Sequence, residues 1–239
     1  MQQSPYTEDE IVEMINSDNL EDISTGARNL WTFWDQWEHK EKFEGLGERL
    51  LTLLKSSIEA LPKGFTGSYR PAWHFLLSLG VLQYEPAHDY IFSLLVDTQI
   101  VENVRGFAAD ALSRYPPQKL KDEQLERIWE LAEKDESLPV RVNCIRAIAN
   151  NFYNSKSDDV AKRLWEMMKR QTNPAIKTTI MGAIGEIGSM SVVPDLIHTL
   201  ITRRTPALKK DAGLTLDRIA EVNGMNNRDD LIKSFSNVD

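Results

Sequence analysis

Apolar residues return at fixed offsets along the second half of this chain. Val104, Ala108, Ala111 and Leu112 stand at offsets zero, four, seven and eight. The same spacing recurs as Val140, Cys144, Ala147 and Ile148, and as Ile176, Ile180, Ala183 and Ile184. It recurs once more as Leu208, Ala212, Thr215 and Leu216. At about 3.6 residues per turn these offsets share one helical face. The four starts are 36, 36 and 32 residues apart, and each is followed by a base: Arg105, Arg141, Lys177 and Lys209. A fainter copy begins at Tyr69-Arg70 and continues with Trp73, Leu76 and Leu77. The helices before these also match: Leu125 to Leu131 resembles Ala161 to Met167, again 36 residues on.

The remaining pattern predicts helices throughout. Thr7-Glu8-Asp9-Glu10 reads as a capping box, opening a short helix through Ile15. A second helix is expected from about Leu20 to Trp37, with Ile23, Ala27, Leu30, Trp31 and Trp34 on one face, and a third over 41–61. Pro62-Lys63-Gly64 ends that helix and Thr66-Gly67-Ser68 is a turn. Helices are then expected over 69–82, 86–96, 101–115, 121–134, 138–152, 157–170, 174–187, 192–201 and 206–222, with a last short one over 228–236. No strand-like alternation persists and every break is short. A helical pair of this length cannot bury its apolar face alone, whereas stacked neighbours can, so the period predicts a solenoid.

Paired helices with a period in the mid-thirties, and second helices reading Val-Arg-x-x-Ala-x-x-Ala-Leu, resemble HEAT-type repeats. The resemblance is clear over 69–222, while residues 7–65 match only as divergent helical pairs. It implies a single all-α domain over 1–239, a right-handed α-α superhelix (HEAT/armadillo-like solenoid) of about six helical pairs. Asp135, six residues before Arg141, fits the acidic–basic ladder of such repeats. Gln99, Gln171 and Arg203 stand at the equivalent positions, so no continuous ladder is expected.

Composition narrows the function classes. The chain has 239 residues, 41% hydrophobic and 27% charged, with a formal net charge of −8. That is ordinary for a folded protein and lacks the overall basic footprint of a nucleic-acid binder. One cysteine, Cys144, allows no intrachain disulfide and no Cys-rich metal site. Residues 1–10 lack the cationic start and apolar core of a signal peptide, and no window is apolar enough to span a membrane. A cytoplasmic location is expected.

Candidate chemistry is sparse. His39, His74, His88 and His198 show no metal-ligand spacing, and His74, beside Trp73, reads as a partner-facing or partly buried ring. Gly182-Ala183-Ile184-Gly185-Glu186-Ile187-Gly188 lacks the preceding strand a nucleotide loop needs, so close helix packing, or close approach by a ligand, is the better reading. Cys144 falls on a core position and reads as an inert thiol. Trp31, Trp34 and Trp37 recur every third residue, so they either cap the amino-terminal end of the stack or leave one ring exposed. No catalytic motif, cofactor site or metal site is recognised.

The side opposite the core lies near offsets two, six and nine. It holds Gly106, Asp110 and Ser113; Val142, Arg146 and Ala149; Thr178, Gly182 and Gly185; Lys210, Leu214 and Asp217. In solenoids of the type the chain resembles, second helices line the concave side. The expectation is a non-enzymatic protein-binding module using that face, with Arg105, Asp110, Arg141, Arg146, Lys177, Lys209 and Lys210 as candidate contacts. The other readings are an immunity- or antitoxin-like binder of a basic toxin, a HEAT-like enzyme or lyase accessory (a DNA alkyl-base glycosylase or a bilin lyase), and a structural subunit of an oligomer.

Overall fold

The computed structural model describes residues 3–62, 70–202 and 205–236. Among them the structure is all-helical, without a strand. Contacts divide the chain into two compact units, Met1–Tyr115 and Pro116–Asp239.

The first unit is three helical pairs: α1 (Glu8–Asn16) with α2 (Leu20–Thr32), α3 (Gly47–Glu59) with α4 (Arg70–Val81), and α5 (His88–Val96) with α6 (Glu102–Leu112). The second helices α2, α4 and α6 pack side by side. The second unit repeats the plan with α7 (Asp122–Lys134) and α8 (Leu138–Asn151), α9 (Asp158–Arg170) and α10 (Pro174–Ile187), and α11 (Val193–Thr202) and α12 (Pro206–Val222). Here α10 lies between α8 and α12, and α13 (Arg228–Ser236) packs on α12.

Local chemistry starts and stops these helices. The Thr7 hydroxyl accepts the Glu10 amide proton at 3.3 Å, while the Glu10 carboxylate accepts from the Thr7 amide at 2.7 Å. Pro139, Pro174 and Pro206 sit in first turns, where a missing N–H costs nothing. Gly188 caps α10 at φ 77°. The turns that follow α4, α6, α8 and α12 use the same left-handed conformation at Gln83, Gln118, Asn154 and Gly224. Only two of these five residues are glycine, so the regularity is backbone-driven and hidden from sequence.

The repeat core holds as expected. Val104, Ala108, Ala111, Val140, Cys144, Ile148, Ile176, Ile180, Ile184, Ala212 and Leu216 are buried. Leu208 is half-buried. Trp129 and Trp165 are core residues, and the Arg163 guanidinium lies 4.1 Å from the Trp129 ring centroid.

Three expectations are corrected. The faint repeat copy is one residue out of register. Ala72, Phe75 and Leu76, each 36 before Ala108, Ala111 and Leu112, are fully buried, and Leu77 is buried as expected. Trp73 therefore leaves the core. Second, α2 stops at Thr32, so Trp31, Trp34 and Trp37 are not one helical stripe. Trp37 folds back and its indole N–H donates to the Leu30 carbonyl at 3.1 Å, satisfying one of the last carbonyls of α2. Trp34 and Trp37 then pack on Phe43, at 6.2 and 5.8 Å between ring centroids. Third, the helix expected over 41–61 begins as a 3-10 stretch, Lys40–Leu46, before α3. The stop at Lys63-Gly64, the turn at Thr66-Gly67-Ser68, the copy's start at Tyr69 and the ladder position Arg203 lie outside the described residues.

Candidate functional site

The bases after each repeat start are mostly helix staples. Arg105 is buried, and its Nε donates to the Leu95 carbonyl in the last turn of α5 at 3.0 Å. Arg141 Nε donates to Ala132 in the last turns of α7 at 3.1 Å, and Lys209 Nζ reaches the Ile201 carbonyl in α11 at 3.4 Å. In these three pairs the second helix (α6, α8 or α12) thus satisfies a carbonyl that its partner helix leaves unpaired, with charge of the favourable sign for that dipole end. Arg141 also donates to the Gln171 side-chain oxygen at 2.6 Å. Gln171 therefore makes the rung expected of an acid at that position.

These placements revise the candidate contacts. Arg105 faces the interior, and Arg141 and Lys209 are half-buried and engaged at helix ends rather than edging an open face. Asp110 is half-buried, 3.4 Å from Arg114. Arg146 is exposed and donates to Asn143 at 3.1 Å. Lys177 is half-buried and Lys210 exposed, each without a partner among the described residues. Arg105 and Asp110 belong to the first unit, and Arg141, Arg146, Lys177, Lys209 and Lys210 to the second.

Two clefts do open on the second-helix faces, one in each unit. In the second unit α10 and α12 enclose about 290 Å³, lined by Thr178, Gly182, Glu186, Asp211, Leu214 and Arg218 among others. Thr178 donates to Asp211 at 2.7 Å, and Arg218 is paired with Glu221 at 2.7 Å and donates to the Tyr153 hydroxyl at 2.6 Å. Desolvation raises the Glu186 carboxyl above its ordinary value, against the pull of Arg218 and Arg146. Gly182 opens on free space, whereas a Cβ on Gly185 would lie 3.2 Å from the Arg218 side chain. Close packing thus explains Gly185 and not Gly182. Thr178, Gly182 and Leu214 were legible as an outward face; Glu186, Asp211 and Arg218 were not.

In the first unit α2, α4 and α6 enclose about 440 Å³, lined by Arg28, Trp31, Trp73, His74, Leu77 and Phe107. Trp73 and Phe107 stack with ring centroids 4.4 Å apart and planes 29° from parallel. The indole N–H groups of Trp31 and Trp73 are covered and have no hydrogen-bond partner among the described residues. Ser24 Oγ and His74 Nδ1 share a hydrogen bond at 2.9 Å, and Arg28 is exposed and makes no contact with a charged or polar group among the described residues. In the corrected register half-buried His74 stands at offset six, where an outward face is expected, while Leu77, at offset nine, is buried at the cleft floor. The cleft is not legible in the sequence because the repeat spacing places Trp73 on the core face.

Among the described residues no three His, Cys, Asp or Glu side chains converge as a metal site, and no helix is long and apolar enough to cross a membrane.

No family model and no curated protein matches the chain. Among solved structures it is similar to an engineered protein, 16% identical over 89% of this chain and 96% of that one, with a TM-score of 0.49. A second engineered protein is 18% identical over 95% of this chain and 60% of that one, also at 0.49. Human deoxyhypusine hydroxylase in complex with glycerol is 15% identical over 95% of this chain and 77% of that one, with a TM-score of 0.37.

Proposed function

We propose that this chain is a HEAT-type binding module, without catalytic activity, that holds a segment of another protein on its second-helix face. The HEAT assignment is supported by the 36-residue period and by the Arg141–Gln171 rung. The binding assignment rests on one observation: Trp31, Trp73 and Phe107 line an open cleft of about 440 Å³ instead of filling the core. Aromatic walls of this kind supply large contact area at low conformational cost. A cytoplasmic setting belongs to the same reading, which the lone buried thiol of Cys144 suits.

The test is a selection of random displayed dodecapeptides against the chain, with the Trp73→Ala variant as counter-target. Circular dichroism of the variant checks that it is folded. Peptides that bind the native chain and not the variant are expected. A selection that enriches none dependent on Trp73 overturns the proposal.

A further inference from the structure

Among the described residues, the cleft-lining side chains that lack a hydrogen-bond partner, Arg28, Trp31 and Trp73, are donors. Trp31 and Trp73 each present a covered N–H without an acceptor. Such a group forgoes the hydrogen bond it would make in water until an acceptor arrives. Arg28 contributes a guanidinium with no partner among the described residues. The other described basic side chains of this unit are engaged. Lys42 pairs with Glu8 and Asp9, and Arg114 with Asp110. Arg49 and Arg105 donate to backbone carbonyls, and Lys40 and Lys55 lie over the Trp34 and Tyr90 rings. The nearest acceptor pair, Ser24 with His74 Nδ1, is satisfied internally. The walls are otherwise apolar: Trp31, Trp73, Leu77 and Phe107.

A complementary ligand therefore brings a large apolar group and an anionic acceptor close together. The geometry points to a partner-protein segment in which a large apolar side chain is followed by an acidic residue. The apolar side chain fills the cleft against Trp73 and Phe107. The neighbouring carboxylate pairs with Arg28, and peptide carbonyls meet the indole N–H groups once the rings turn slightly. A polyanion such as nucleic acid fits less well. Residues 1–115 carry 18 acidic and 9 basic side chains, which repel an extended chain of phosphates. A single carboxylate touching Arg28 feels that repulsion weakly, because charges beyond about 8 Å are screened at physiological salt.

This inference rests on the cleft being a protein-binding site. It is tested by titrating the full chain with acetyl-Ser-Gly-Phe-Glu-Gly-Ser-amide and with its Phe-Gln counterpart, following the indole N–H signals in nitrogen-15 NMR spectra. Trp31→Phe and Trp73→Phe variants assign the two signals. The acidic peptide is expected to shift both in a saturable way, and the Gln peptide to bind roughly tenfold more weakly. Arg28→Gln, at an exposed position, is expected to abolish that difference while leaving the fold intact. Absence of any shift at Trp31 and Trp73 overturns the inference, as does a Glu preference that survives Arg28→Gln. A larger response of the same signals to octathymidylate overturns it in favour of nucleic acid. Trp73-dependent peptides from the selection above that lack acidic residues would leave the binding reading standing and remove this one.

Discussion

Gly80 of α4 meets Ala111 of α6 so closely that a Cβ on Gly80 would lie 2.8 Å from the Ala111 carbonyl oxygen and 2.9 Å from its Cα. Both obstacles are backbone, so neither can rotate away. Gly80→Ala is expected to destabilise the chain by about 3 kcal/mol. Gly182 is the contrast, a mid-helix glycine facing open space. Gly182→Ala removes the entropic cost of glycine in a helix and is expected to stabilise by about 0.5–1 kcal/mol. Urea unfolding of both variants measures the two signs. Equal effects would mean that the close approach of α4 and α6 does not constrain the fold.

The staple role of the repeat bases separates residues that look alike in sequence. Arg105→Ala leaves the Leu95 carbonyl without its charged donor in a buried setting. A loss of about 2 kcal/mol is expected. Arg141→Ala loses bonds to both Ala132 and Gln171 and is expected to cost a similar amount. Lys177→Ala and Lys210→Ala, whose ammonium groups have no partner, are expected to fall within about 0.5 kcal/mol of the native chain. Four equal losses in a thermal-melt series would refute the distinction.

Glu186 gives stability a defined pH dependence. Its folded carboxyl titrates above the ordinary carboxylate value because desolvation outweighs the attraction of Arg218 and Arg146. A carboxyl raised in the folded state adds stability below its unfolded value and loses that contribution as pH rises through the folded value. At pH 7 the ionised group therefore weakens the fold. Glu186→Gln is expected to raise the melting temperature at pH 7 by no more than about 2 °C, since the side chain is exposed and its penalty is small. The gain should vanish near pH 4. A gain that persists there would point to packing rather than charge.

Much of the fold was legible because stacking imposes a local rule on every repeat. The boundaries of α10 and α12 follow from Pro174, Gly188 and Pro206, residues whose backbone preferences act without help from the rest of the chain. The register of α4 was harder. Helical neighbours at three and four residues overlap heavily, so a set beginning at Tyr69 shares Leu76 with the observed set. Only contact with α6 decides that Ala72 and Phe75 go inward and Trp73 does not. The end of α2 was hidden for a related reason: the Trp37 indole competes for the Leu30 carbonyl from seven residues away.

The sequence by itself determined that helices pair, how often the pairs recur, and which residues form the stacked core, because apolar burial at helical spacing admits few alternatives. Tertiary structure alone decided what the remaining residues do. Arg105 and Lys177 occupy equivalent positions, yet one reaches a neighbouring helix end and the other has no partner among the described residues. Trp31, Trp73 and Phe107 are far apart in sequence and carry no shared motif. They form one cleft because α2, α4 and α6 are laid side by side, and that distance relationship is set by packing between helices rather than by periodicity within them.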